Sequence, residues 1–310
     1  MTIQQLRYVI ALDTHRNFVK ASESCYVAQP TLTLQIKKLE DQMGLKLFDR
    51  SMQPLKPTPL GEQFIAKARV ILREVEELKV LVNEERNSME GTFRIGIIPT
   101  LAPYLLPLFI KEFLNAFPTT KLEVQELQSD IIIERLEQGQ LDIGLMATPL
   151  NEKQLTETVL FYEPFLVYTD DVPNITNGKK RVHADDLQPE GLWLLGKGHC
   201  FRDHTLNLCN FDTLTLNRNL IMQGGSIETL KLMIQQISGY TLIPALSYQA
   251  ITDHSSVIHF EVPQPVREIS IVTHKNFTRE RLIEELRKSI LRHTPDAFRK
   301  NTKFMMVEWR

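Results

Sequence analysis

The chain has 310 residues, 43% of them hydrophobic and 24% charged, which is ordinary composition for two or three soluble domains. Three cysteines exclude a disulfide scaffold, and no apolar run approaches the roughly 20 residues that span a bilayer. The opening MTIQQLRYVIALDTHRNF lacks a signal-peptide pattern, so the expectation is a soluble, cytoplasmic protein with reduced thiols. The net charge of −2 divides unevenly: residues 1–73 hold 11 Lys/Arg against 6 Asp/Glu, and the remainder is acidic. A basic front on an acidic body points to a nucleic-acid-binding module joined to something else, although a solvated lysine surplus reads the same way.

The front reads as helices. Thr2 and Gln5 make a capping-box start for a helix carrying Leu6, Val9, Ile10 and Leu12 on one side. Asn17 can cap a second, short helix with Phe18, Ala21 and Ser22, followed by a turn through Cys25, Tyr26 and Val27. Gln29-Pro30 opens a third helix that buries Leu32, Ile36 and Leu39 and stops at Gly44. Short helix, turn and amphipathic helix form a helix-turn-helix, with a plain three-helix domain as the alternative. Gln29, Pro30, Thr31, Thr33, Leu34 and Lys37 would face the DNA, small polar groups toward base edges and Lys37 and Lys38 toward phosphates. The stretch LKLFDRSMQPLKPTPLG then suggests a small hairpin wing with Arg50 at its tip, either on a phosphate or simply solvated.

Thr58-Pro59 starts a long helix in which Phe64, Ala68, Ile71, Val75, Leu78 and Val82 step by 4 and 3. That 3.5-residue repeat is a coiled-coil seam, a natural dimerisation device behind a DNA-binding head. Residues 88–91 read as a hinge. The run AQPTLTLQIKKLEDQMGLKLFDR, the proline-rich wing, the TPLG helix start and the linker helix together resemble the LysR-type transcriptional regulators.

In the body, Phe93–Pro99, Leu122–Leu127 and Leu141–Met146 read as strands separated by helices at Pro103–Phe117 and Asp130–Gln138. The alternation starts again near Phe165–Tyr168 and runs through a strand at Trp193–Leu195, a helix from Ser226, the TLIP strand and a helix near Ala245–Ile251. Ile269–Thr273 and a helix at Arg279–His293 close the chain back on the first part. This predicts parallel sheets in two α/β lobes joined by two crossovers, with Thr100 and Ser129 lining the cleft between them or serving only as local caps. No P-loop, H-E-x-x-H or G-x-S-x-G motif is present, and cysteine spacing gives no zinc site. Gly224-Gly225-Ser226 is a weak anion-site candidate, more simply a helix start.

The informative stretch is LLGKGHCFRDHTLNLCN, residues 194–210. Cys200 is flanked by His199, Arg202, Asp203 and His204, whose positive members would favour a reactive thiolate. Cys209 lies nine positions on, about 13.5 Å away along a continuous helix. A disulfide needs Cα atoms within about 4.4–6.8 Å, so a bond would require the segment to unwind. Spacing and charge leave two readings open: a bistable redox element, or two unrelated thiols. GHCFRD with a second Cys at this distance, PTLAPYLLP and SIETLKLMI…SGYTLIPAL resemble the peroxide-sensing members of the LysR-type family.

That resemblance implies a winged helix-turn-helix over 1–58, a dimerisation helix over 59–87, and a redox-sensing regulatory domain over 92–310. The regulatory domain would have two Rossmann-like lobes of the periplasmic-binding-protein kind, lobe I about 92–163 and 269–300, lobe II about 164–268. Cys200 would react with hydrogen peroxide and Cys209 would resolve it, with Thr100, Ser129, His199, Arg202 and Asp203 shaping the peroxide pocket. The family usually has Thr where Ser129 stands and His where Ile221 stands. Cys25 is expected to be a packing residue. The expected partners are promoter DNA, RNA polymerase, a dithiol reductant and further copies of the chain, as a dimer of dimers. No cofactor, metal or enzymatic activity is expected. The rival readings are a LysR-type regulator of a small metabolite, a thiol peroxidase with an attached DNA-binding domain, and a solute-binding transport protein.

Overall fold

The computed structural model describes the chain except residues 53, 84–88, 177–178, 212–225, 252–253 and 300–302, and gives only backbone for 79–83 and 250. The chain divides into two compact units, Met1–Ser88 with Glu137–Gln140, and Met89–Leu136 with Leu141–Arg310.

Local capping sets the first unit. Helix α1 (Ile3–His15) begins where Thr2 Oγ1 accepts from Gln5 N and Gln5 Oε1 accepts from Thr2 N. Helix α2 (Phe18–Ser24) begins where Asn17 Oδ1 accepts from Val19 N and Lys20 N. Helix α3 (Gln29–Met43) has Pro30 in its first turn and ends at Gly44, whose φ of +66° suits a residue without a side chain. Val9, Leu12, Ala21, Leu32, Ile36 and Leu39 are completely buried together, as the spacing predicts. Cys25 packs against this core as expected. The wing is a minimal hairpin of β1 (Phe48–Asp49) and β2 (Lys56–Pro57), antiparallel.

One residue organises the wing. Glu40, on α3, is buried; its Oε1 accepts from Leu47 N at 2.8 Å and Phe48 N at 3.3 Å, and its Oε2 from Arg50 Nη2 at 3.1 Å. Arg50 therefore is not a free wing-tip cation: it follows β1 directly and its guanidinium is tied inward to Glu40 and lies over the Phe18 ring. Helix α4 (Pro59–Asn83) starts where Thr58 Oγ1 accepts from Gly61 N. In the proposed seam, Ala68 is buried against its own head, Phe64 and Val75 are half-buried, and Ile71 and Leu78 are exposed. The Val82 side chain, and residue 88 of the expected hinge, lie outside the described residues.

In the second unit, β3 (Gly91–Ile97), α5 (Ala102–Ala116), β4 (Thr120–Glu126), α6 (Ser129–Glu137) and β5 (Ile143–Thr148) build lobe I, with β3 parallel to both β4 and β5. Then β6 (Leu155–Thr169) runs out of lobe I. It is followed by α7 (Val172–Thr176), β7 (Arg181–Val182), α8 (Cys200–Cys209), α9 (Ile227–Ile237), β8 (Tyr240–Pro244), β9 (Val257–Phe260), β10 (Gln264–His274), α10 (Glu280–His293) and β11 (Phe304–Met306). Residues 155–164 of β6 pair with β10, and residues 165–169 pair with β8, all antiparallel; β9 also joins β6 in lobe II. β6 and β10 are thus the two crossovers. The sheet order is β4-β3-β5-β10-β6-β9-β7.

Each lobe has its own core. Ile95, Ile97, Phe109, Ile143, Leu145, Ile271 and Leu286 fill lobe I, and Phe165, Val167, Trp193, Leu230, Ile234, Leu242 and Ile258 fill lobe II. Three expectations need correcting. The sheet is mixed, because β10 runs antiparallel to β5 and the two crossovers run antiparallel to each other. Trp193–Leu195 forms no strand; only Leu192 makes a single bridge, to Tyr240. Ala245–Ala250 is a short 3₁₀ turn, too brief for the helix expected there.

Replacing Glu40 with Ala should destabilise the first unit by about 3 kcal/mol, since buried N–H groups of the wing lose a charged acceptor. Chemical denaturation of the isolated 1–88 fragment tests this, and a loss below about 1 kcal/mol would remove Glu40 from its organising role.

Candidate functional site

Helix α8 carries both candidate thiols because its two ends fall on them. His199 has extended backbone and Cys200 opens the helix; Asn210, at φ 52°, closes it just after Cys209. The turn before α8 is held from two sides. Arg202 Nη1 donates to Leu195 O at 2.8 Å, and Gln128 Nε2 donates to Lys197 O and lies 3.4 Å from His199 Nε2. Gly198 has φ +88°, and a Cβ there would meet Gln128 Oε1 at 2.7 Å, so a side chain here would be strained and would displace the Gln128 amide.

Cys200 and Cys209 are both free and both buried, at 2% and 7% exposure. They face different cores: Cys200 packs into lobe I, Cys209 into lobe II beside Leu208. In the helix they are about 13.5 Å apart along the axis, beyond the reach of a disulfide.

A buried ion pair sits beside the thiol helix. Arg267 on β10 and Glu163 on β6 face each other across the strand pair, and both are inaccessible to water. Arg267 Nε and Nη2 donate to Glu163 Oε2 at 2.9 and 2.7 Å, and Nη1 and Nη2 donate to Thr100 Oγ1 and O at 2.9 and 3.1 Å. Glu163 Oε1 accepts from Leu246 N at 2.8 Å. The guanidinium lies 4.9 Å from the Phe201 ring centre. Every polar atom on this pair that could be lost to burial is thereby answered.

Burial pushes the Cys200 thiol above its ordinary pKa; the Arg267 charge is the chief opposing influence, helped by the Ser129 hydroxyl and the Phe201 N–H, while Asp203 adds to the rise. Ser129 Oγ is itself buried and has no well-formed hydrogen bond. Burial also lowers His199, which favours its neutral form. His204 is completely buried and pushed down to about 3, so it is neutral near pH 7. Its Nδ1, 2.8 Å from Cys200 O, carries the proton and donates it, because a carbonyl only accepts. The expected sources of positive charge around Cys200 are therefore wrong. Burial favours the neutral forms of His199 and His204, and Arg202, which keeps its charge, acts on the Asp203 carboxyl; the cation that acts on the thiol is Arg267. Cys209 has the apolar setting expected for it, and burial alone pushes its thiol up to about 12.

Of the other expected pocket residues, Thr100 and Ser129 are buried next to this network, while Asp203 lies half-buried on α8 with burial raising its carboxyl. Ile221, Gly224 and Gly225 lie outside the described residues. The sequence pattern singles out neither Arg267 nor Glu163, although Glu163 is the lone charge of YEPFLVY and Arg267 stands with Glu268 in the otherwise apolar PVREISIV. In the first unit, Gln29, Pro30, Thr31, Leu34 and Lys37 form an exposed face on α3, with Thr33 half-buried. Among the described residues no group of His, Cys, Asp or Glu could hold a metal, and no helix is long and apolar enough to cross a membrane.

Residues 3–62 match the family described as bacterial regulatory helix-turn-helix protein, lysR family, and residues 86–295 match the LysR substrate binding domain. The chain belongs to the LysR family of bacterial transcriptional regulators. It is 35% identical over 296 residues to the hydrogen peroxide-inducible genes activator of Pectobacterium carotovorum subsp. carotovorum, covering 94% of this chain and 97% of that one. It is 35% identical over 276 residues to the DNA-binding transcriptional dual regulator OxyR of Escherichia coli (strain K12), covering 88% and 89%. Its fold superposes with TM-score 0.82 and 31% identity on a full-length OxyR cysteine variant from Pseudomonas aeruginosa, covering 95% of this chain and 99% of that one.

Arg267→Met should cost about 3–5 kcal/mol, because it strands the Glu163 carboxylate in the interior. Adding Glu163→Leu should recover much of that loss in a double-mutant cycle followed by urea unfolding of the reduced chain. Simple additivity of the two changes would mean the pair is not coupled.

Proposed function

We propose that this regulator senses hydrogen peroxide through Cys200 and Cys209 and changes promoter binding in response. The observation that carries the reading is that one helix begins and ends on a thiol, each in a different lobe core, with a fully buried cation beside the first. The relatives named as peroxide-inducible activators support it.

In the first step the Cys200 sulfur attacks one peroxide oxygen, the O–O bond breaks, and the departing oxygen takes the thiol proton and leaves as water. Arg267 favours the developing thiolate, and Thr100 and Ser129 offer hydroxyls to the peroxide. His199 and Asp203 border the pocket, and Arg202 fixes the turn that presents Cys200. In the second step α8 opens, the Cys209 sulfur attacks the sulfenic sulfur, the S–O bond breaks and a second water leaves. The disulfide prevents α8 from re-forming, so the lobes repack and DNA half-sites are held differently. The exposed α3 face reads promoter DNA, α4 pairs two copies through Ile71 and Leu78, and two dimers assemble as a tetramer that meets RNA polymerase and activates oxidative-stress genes. A cytoplasmic dithiol system returns the pair to thiols.

Mass spectrometry after brief substoichiometric peroxide should find one intramolecular Cys200–Cys209 disulfide. Cys200→Ser should lose the response, Cys209→Ser should stop at a sulfenic acid, and Cys25→Ser should respond normally. Equal reactivity of the two buried thiols would overturn the mechanism in favour of a metabolite ligand in the inter-lobe cleft.

For the head, Lys37→Ala should weaken binding to all DNA sequences and reduce the slope of log affinity against log salt by roughly one. Gln29→Ala should weaken specific sites by about 1–3 kcal/mol more than nonspecific ones. The opposite pattern would remove α3 from the major groove.

A further inference from the structure

The segment from Lys303 to Arg310 belongs to neither the thiol helix nor the ion pair, yet it touches the elements that position both. β11 runs parallel to Gln264–Val266 of β10, which leads straight into Arg267. Gln264 N donates to Lys303 O at 2.7 Å, and Val307 N donates to Val266 O at 2.9 Å. Val307 is buried in the lobe II core that holds Leu208 and Cys209. Glu308 O accepts from Asn207 Nδ2, on the thiol helix, at 2.8 Å. Trp309 is buried in the lobe I core that holds Cys200. Arg310 stacks 4.7 Å over the Trp309 ring and pairs with Asp130, next to Ser129, at 2.7 Å and with Glu152 at 2.8 Å.

We propose that residues 304–310 are a strap that holds α8 in its helical, reduced form and releases it when Cys209 moves to Cys200. This rests on the thiol-pair reading above. Asn207 lies between the two thiols, so any path that brings their Cα atoms within about 4.4–6.8 Å breaks the helix around it. The Asn207–Glu308 bond then has no partner in place, and Val307 loses the Leu208–Cys209 surface against which it packs.

The strap is fastened, but not tightly. The indole Nε1 of Trp309 is buried with no hydrogen-bond partner among the described residues. Asp130 is 67% exposed and Glu152 35%, so the Arg310 pairs are surface pairs of small worth. A segment anchored in both lobe cores by one aromatic and one aliphatic side chain, with a strained polar balance, is suited to release. It should govern the second step, closure of the disulfide, and leave the first step unchanged, because its hydrogen bond to the thiol helix is at Asn207 and not at the Cys200 end.

The test uses the full chain. Hydrogen exchange followed by mass spectrometry should show the amides of 304–310 protected in the reduced form and losing protection once the disulfide has formed. Trp309→Ala should speed disulfide closure about fivefold or more, because the strap loses its aromatic anchor in the lobe I core. In a Cys209→Ser background the same change should leave the rate of sulfenic acid formation within about twofold. Should Trp309→Ala not fold, Asn207→Ala serves. Alanine is the better helix former, so a role confined to helix propensity predicts slower closure, and the strap predicts faster. Unchanged protection in a verified disulfide form, or equal acceleration of both steps, would overturn the strap. The thiol oxidant diamide, which takes two electrons and two protons from the thiols, separates the two proposals. A disulfide formed by diamide and not by peroxide would end the peroxide reading while exchange at 304–310 still decides the strap. No 200–209 disulfide with either oxidant would overturn both.

Discussion

A guanidinium out of contact with water is tolerated only when its charge and its donors are answered on the spot. Arg267 is answered by Glu163, its direct neighbour across the β10–β6 pair, and by Thr100 at the end of β3. Those two strands are the crossovers between the lobes. The same side chain then supports the Phe201 ring one residue beyond Cys200. Lobe connection, the end of the first strand and the start of the thiol helix therefore share one buried charge. Its position is dictated by strand register, and the electrostatics at Cys200 follow from it.

That dependence also explains an apparent conflict. A reactive thiol is expected to have a depressed pKa, yet Cys200 sits where burial raises it. The protein does not keep a standing thiolate in contact with water. It keeps a shielded thiol beside a fixed cation; on the mechanism proposed above, charge would develop only as the reaction proceeds, where a preorganised guanidinium in a low-dielectric site counts most.

How much of this was legible in the sequence follows the range of the interactions. Thr2, Asn17, Pro30 and Gly44 act on their own turns, so the head could be read from local pattern alone. Spacing and charge left Cys200 and Cys209 open between a redox pair and two unrelated thiols, and only the resemblance favoured the pair. Nearness along the chain did not translate into nearness of charge at Arg202 and His204: in the fold one donates to the Leu195 carbonyl and the other is a neutral interior ring. Arg267 and Glu163 lie over a hundred positions apart and meet only through the register of two long strands. The crossovers are antiparallel for the same reason: direction of travel between lobes is a property of the whole path. The 304–310 segment shows no periodicity, and its contacts at Asp130, Glu152 and Asn207 are distant in sequence.

The burial of Cys200 has a chemical consequence for selectivity. With Cys200 only 2% exposed, its sulfur offers no surface to anything as large as a peptide or a glutathione disulfide. Thiol exchange needs in-line approach to a sulfur through a mixed disulfide, and a bulky oxidant has no room for it. An oxidant of two heavy atoms, uncharged and able both to give and to accept hydrogen bonds, does not meet that barrier. On the mechanism proposed above, burial would thus work as a molecular sieve, screening out the cell's large disulfides by size before any difference in intrinsic reactivity is drawn upon.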